Sequence, residues 1–278
     1  MFEMEGRLRT MPDGLGVGTR VIAIANQKGG VGKTTTAICS CGALSRMGRR
    51  VLLVDLDQQA NATREIGAEG DGASAYELLT GKERDARRCV RHSGYEGVDV
   101  LPGDSRLSGA EAEMAGMTCR ETILADSLEP IVMAGDYDYV VIDCSPSLGI
   151  VTANALVAAD EVVVPVMVDG WSLDGLDRLM ALVSRVQGSR RLNPGLRVGG
   201  LLVCQREPRQ RLTAAFDEQL PVVAGQYGTK VYPTSIRRCV KVREAQVAGV
   251  ALHDYAPGCS TDCDYDQFAF ELDGEVSR

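Results

Sequence analysis

Aromatic residues are scarce in this 278-residue chain: they make up 5% of it, and only one is tryptophan. A core cannot then rest on rings. With 45% hydrophobic residues it falls to Val, Ile, Leu and Ala, which suits a parallel α/β sheet buried on both faces. No apolar run approaches the roughly 20 residues that cross a bilayer. The opening Met1-Phe2-Glu3-Met4-Glu5-Gly6 has acids and no apolar stretch, so it does not read as a secretory signal, and a cytoplasmic protein is expected. The Cys-x-x-Cys spacing usual for zinc is also missing from the nine cysteines. Cys39 and Cys41 would point about 200° apart on a helix, and Cys89, Cys119, Cys144, Cys204 and Cys239 are scattered singly. Cys259 and Cys263 alone are close enough to chelate together, and two thiolates make half a site; reduced thiols are the expectation. A formal charge of −8 excludes a chain that is basic throughout but leaves room for a local basic face.

Two such faces are readable. From Arg185 to Arg211 there are seven arginines (185, 190, 191, 197, 206, 209, 211) against one acid, Glu207, and a second cluster holds Arg237, Arg238, Lys241 and Arg243. Clusters like these make nucleic-acid phosphate a candidate partner.

The densest motif is Lys28-Gly29-Gly30-Val31-Gly32-Lys33-Thr34-Thr35. It follows the β-branched run Val21 to Ile24 and leads into a helix-like segment from Thr34 to Met47, the strand–loop–helix setting a P-loop requires. Glycines let successive N–H groups face one anion at a helix N-terminus. Lys33 can reach the β- and γ-phosphates and the Thr34 hydroxyl can coordinate Mg²⁺. Lys28 is an additional cation, and a lysine ahead of the glycines can reach a nucleotide held by a second subunit.

After a glycine- and proline-bearing extension over residues 1–19, strands and helices alternate. Strands are predicted at Arg50–Asp55, Val98–Pro102, Tyr139–Asp143, Glu161–Val166 and Val198–Val203, and helices at Leu148–Ala159, Leu173–Gln187 and Leu212–Val223. That alternation predicts one doubly wound, mostly parallel sheet with helices on both faces, over residues 20–278. Ligands of such sheets bind at the carboxyl ends of strands. There stand Asp55 and Asp57, and Asp143, preceded by four apolar residues as in a Walker B strand. Asp143 is read as holding Mg²⁺, and Asp57 as facing the γ-phosphate to orient the attacking water.

Together these motifs resemble the ParA/Soj partition ATPases of the deviant Walker A (MinD-like) group, over roughly Arg20 to Leu272. Lys28 to Thr35 is similar to the family's deviant Walker A, with Lys28 as its signature lysine. Asp55-Leu-Asp57-Gln-Gln-Ala-Asn61-Ala-Thr63 resembles switch I, with Gln58 and Ala60 where the family has proline and glycine. Ile142-Asp143-Cys144-Ser145-Pro146 resembles Walker B and switch II, and Ile236-Arg237-Arg238-Cys239-Val240 the late I-P-R-N-V segment. The resemblance implies an ATP–Mg²⁺ sandwich homodimer, with Lys28 crossing to the partner's phosphates and Asp57 as the hydrolytic switch. It also implies non-specific DNA binding through Arg209 and Lys241, a contact from Arg238 to adenine, and hydrolysis stimulated by DNA and a ParB-type protein. A nucleoid-associated partition ATPase is the expectation. An ATP-gated regulator of replication or transfer shares every motif. A MinD-like membrane protein is disfavoured by the acidic end from Asp264 to Arg278, and an iron–sulfur carrier by the unmatched cysteines.

Overall fold

The computed structural model describes residues 18–168, 173–207 and 212–274. In chain order the first half runs β1 (Arg20–Ile24), α1 (Lys33–Arg46), β2 (Val51–Asp55), α2 (Asn61–Glu65), α3 (Ala75–Leu79), β3 (Arg91–His92), β4 (Val98–Leu101), α4 (Leu107–Met114) and α5 (Ile123–Ala134). The second half runs β5 (Tyr139–Asp143), α6 (Ile150–Ala158), β6 (Glu161–Met167), α7 (Leu173–Gln187), β7 (Arg197–Cys204), α8 (Leu212–Gln226), α9 (Val240–Ala248), α10 (Leu252–Tyr255) and α11 (Ser260–Gly274).

The seven strands order as β3-β4-β2-β5-β1-β6-β7, parallel except for the two-residue edge strand β3. The doubly wound sheet expected from the alternation is therefore present. Strands β1, β2 and β5 are buried along their whole length, because helices cover both faces. Alternate residues divide between two cores. Ile22, Ile24, Leu53 and Val141 pack with Ile38, Cys41 and Leu44 of α1 and with Tyr265, Phe268 and Leu272 of α11. Val21, Ala23, Val54 and Ile142 face the opposite side, against residues of α3 to α8.

The carboxyl-terminal segment takes a form that its charge conceals. Among the described residues no helix is long and apolar enough to cross a membrane. In α11 the apolar stripe Tyr265, Phe268 and Leu272 is buried, spaced as one helix face requires. Its acids are ion-paired: Asp262 and Asp266 meet Arg46 of α1, and Asp264 meets Arg237. The acidic run is the rim of a docked helix. Another tie sits at the start of β1, where Arg20, almost fully buried, donates to Glu161 at 2.5 Å and to the Leu272 carbonyl.

Candidate active site

The glycine loop is rooted by Asn26. Its side-chain amide donates to the Pro165 carbonyl of β6 at 2.7 Å, and its side-chain oxygen accepts from the Lys28 amide at 2.9 Å. Two glycines carry positive φ, Gly30 at 71° and Gly32 at 101°, a conformation side-chain-bearing residues seldom adopt. Gly32 opens α1, which has no capping side chain and no acid in its first turn. Its amino end is left to an anion. Lys33 is buried, and its ammonium donates to the Lys28 carbonyl at 3.1 Å, folded across the loop it serves. Burial pulls its pKa down; Asp143 is the largest opposing influence, followed by the Cys144 thiol and Asp57.

Parallel registry sets the acids beside this loop. Asp143 pairs with Ile24 of β1 on one side and with Asp55 of β2 on the other, so three strand ends converge. Asp143 is fully buried, and neither carboxylate oxygen completes a hydrogen bond among the described residues. The Thr34 hydroxyl lies near enough to favour the ionised form without meeting hydrogen-bond geometry. Burial, with Asp55 next, pushes the Asp143 pKa well up. Such a group is costly without a cation, so Asp143 and Thr34 are residues that would hold a magnesium ion.

Asp55 and Asp57 have different surroundings. Asp55 accepts from the Asp57 amide (3.0 Å), the Thr63 amide (2.9 Å) and the Thr63 hydroxyl (2.7 Å). It fastens the loop between β2 and α2. A Cβ on Gly103 would stand 2.7 Å from the Asp55 carbonyl oxygen, so only glycine lets the neighbouring loop close over it. Asp57 is near enough to Lys33 to act on its charge, and its carboxylate accepts from the Gln59 amide at 2.9 Å. Ala60, where the resembling family has glycine, is left-handed at φ 49°.

The remaining predicted residues sit beyond β7. There the segment from Val231 to Arg237 runs parallel to the strand, with the Ile236 amide on the Val203 carbonyl and the Arg206 amide on the Ile236 carbonyl. Arg238 is exposed and ion-paired to Glu207 at 2.5 Å; Lys241, on α9, pairs with Glu244 at 2.8 Å. Arg209 lies outside the described residues. The first basic cluster does not form one face: Arg197 opens β7 and Arg206 follows it, separated by the length of an eight-residue strand, about 25 Å. Arg185, Arg190, Arg191 and Arg197 therefore belong to the end of the sheet away from the P-loop.

Two residues at the site escape sequence reading. One is Asn26. The other is Gln205, left-handed at φ 54°, whose amide donates to the Gly30 carbonyl at 2.7 Å. Both act through contacts across the sheet, for which a single polar residue after a strand gives no signal.

Comparison with known proteins places relatives beside this geometry. Residues 19–198 match a family model described as an AAA domain. The chromosome partitioning protein ParA of Caulobacter vibrioides is 40% identical over 91% of this chain and 93% of its own length. The sporulation initiation inhibitor protein Soj of Bacillus subtilis is 39% identical over 86% of this chain and 92% of its own. Among solved structures, the cobyrinic acid a,c-diamide synthase of Mycobacterium smegmatis with bound ADP and magnesium superposes with a TM-score of 0.79, at 33% identity, covering 94% of this chain and 97% of that one.

Proposed function

The chain belongs to the ParA/Soj family of partition ATPases, and from that premise we propose that it is an ATP-switched DNA-partition protein. In this reading ATP closes a sandwich homodimer, the dimer holds DNA without sequence preference, and hydrolysis releases it. The observation that carries the reading is the convergence of three strand ends. They bring together the P-loop after β1, Asp57 after β2 and, at the end of β5, a buried Asp143 whose carboxylate has no hydrogen-bond partner among the described residues.

The reading gives each side chain a role. Backbone N–H groups from Gly29 to Thr35, at the open amino end of α1, cradle the phosphates. Lys33 leaves its contact with the Lys28 carbonyl to meet the β- and γ-phosphates. Thr34 and Asp143 would hold Mg²⁺, which supplies charge neutralisation at the phosphates. Asp57 orients the attacking water, on a loop kept in place by Asp55. Lys28 serves the partner subunit's phosphates, and Arg238, released from Glu207, serves the adenine. Arg209 and Lys241 contact DNA phosphates. Residues 1–19 are an extension to one ATPase domain, and no membrane is involved. A basic segment of a ParB-type protein, docking on this acidic chain, would stimulate turnover together with DNA at the nucleoid.

The test is retention of random-sequence duplex with ATP, with ADP and without nucleotide, at two salt concentrations. ATP-dependent binding that weakens with salt is expected. Equal binding in all three nucleotide states would overturn the proposal.

A further inference from the structure

The late segment is sewn to the start of α11. The Thr261 hydroxyl donates to the Arg237 carbonyl at 2.7 Å, and the Arg237 guanidinium donates to the Ser260 carbonyl at 3.1 Å. Asp264 receives both the Arg237 amide, at 2.8 Å, and the guanidinium, at 2.7 Å. Two residues beyond Arg237 stands Cys239, immediately before α9; one residue back from Ser260 stands Cys259. The stitching therefore sets the two thiols beside one another, near enough for Cys239 to act electrostatically on Cys259. Both thiols are free and half-buried, neither sealed in the core nor fully in solvent. Cys263 is exposed, and its thiol donates to the Gly258 carbonyl at 3.5 Å.

We propose that Cys239 and Cys259 are a reversible dithiol–disulfide pair, oxidised by a peroxide or a small-molecule disulfide, that fastens α9 to α11. With hydrogen peroxide, one thiolate attacks an oxygen and breaks the O–O bond, leaving a sulfenic acid and hydroxide. The second thiolate attacks that sulfur, the S–O bond breaks, and the S–S bond forms. Two thiols are oxidised, and the peroxide is reduced to two waters. With a small disulfide, two successive exchanges give the protein disulfide and two small thiols.

The surroundings suit thiol chemistry better than metal binding. Among the described residues no three metal-ligating side chains are grouped. Burial holds the Cys259 thiol above its ordinary range, and backbone N–H groups of Asp262 and Thr261 at the start of α11 act in the opposite direction, towards the thiolate. Between the two cysteines lie α9, which carries Lys241 and Arg243, and α10. In the reduced protein α9 is held through Arg237 by hydrogen bonds that can open singly. The disulfide would close this stretch into a covalent loop. Its effect on DNA would rest on the proposed function; its formation does not.

The experiment treats the full-length protein with hydrogen peroxide, digests it without reduction and maps linked peptides by mass. Amide hydrogen exchange over residues 240–255 is compared before and after oxidation. We expect one linkage, Cys239 to Cys259, reversed by dithiothreitol, kept in Cys263→Ser and lost in Cys239→Ser and Cys259→Ser. Exchange across α9 should slow at least several-fold in the wild type and not in either serine variant. A Cys259–Cys263 linkage, cross-links between chains, or a correct disulfide with unchanged exchange would each overturn the proposal.

Discussion

At the scale of single residues, the two aspartates of the switch loop have separate work, and substitution should separate them. Asp55 makes three of the hydrogen bonds that shape the loop, and the Asp57 carboxylate adds one, from the Gln59 amide. Most of the loop's ties therefore do not depend on Asp57. Asp57→Ala should keep ATP binding and the DNA-bound dimer but slow phosphate release by about 10²–10⁴-fold. Hydrolysis at the wild-type rate would remove Asp57 from the reaction. Lys28→Ala is expected to leave monomer affinity for ATP within a few-fold and to abolish ATP-dependent dimerisation, read by light scattering; an intact dimer would end the trans role. Ala60 gives a third test. Its φ of 49° costs an alanine about 1–2 kcal/mol, whereas glycine tolerates it. Ala60→Gly should therefore raise stability by about 0.5–1 kcal/mol after the extra unfolded-state entropy of glycine, measured as a denaturant midpoint. A lowered midpoint would contradict the strain.

Between elements, α2 and α9 meet through a titrating contact. Gln246 of α9 donates to Glu65 of α2 at 3.1 Å, with Tyr95 and Cys39 also facing that carboxyl. Burial raises Glu65 from 4.5 to about 7. A carboxyl raised in the folded state favours folding below its unfolded value and loses that contribution as pH rises through the folded one. Stability should thus fall between about pH 4.5 and 7 by about 2–3 kcal/mol from this group, and Glu65→Gln should remove that loss. The check is chemical denaturation of both proteins at pH 5 and pH 8; parallel profiles would refute it. Elements also differ in how far the sequence reveals them. Strands β1, β2, β5, β6 and β7 are legible because sheets covered on both faces demand continuous apolar runs, and their carboxyl ends place the P-loop, Asp57 and Asp143 together. Strand β3 is two residues long and leaves no pattern. Helix α5 carries Pro130 inside it, a residue that argues against a helix interior. In α11 the acids at 262, 264 and 266 obscure the stripe at 265, 268 and 272, and only tertiary contact shows that they are paired with arginines.

The molecule as a whole is acidic, and several of its described cations near the end of β7 and on α9 are already engaged. Arg206 is held by Asp217, Arg237 by Asp264, Arg238 by Glu207 and Lys241 by Glu244. Exposed pairs of this kind are worth little, about 0–1 kcal/mol, so a phosphate can replace a carboxylate at small cost. The number of phosphates neutralised should nevertheless fall below the count of basic residues. If each protomer contributes Arg209 and Lys241, the logarithm of DNA affinity should fall with the logarithm of salt at a slope of about −4 for the dimer. A slope steeper than about −8 would mean that further residues of the two clusters join Arg209 and Lys241. The strand order has one more consequence. The P-loop leaves β1; Asp57 follows β2 and Gln205 follows β7, and one strand, β5 or β6, intervenes on either side. At about 4.8 Å per strand, the strand ends that carry Asp57 and Gln205 stand some 10 Å to either side of the one that carries the P-loop. The glycine loop therefore sits midway between the two: a displacement of it starts one intervening strand from the Asp57 loop and one from Gln205.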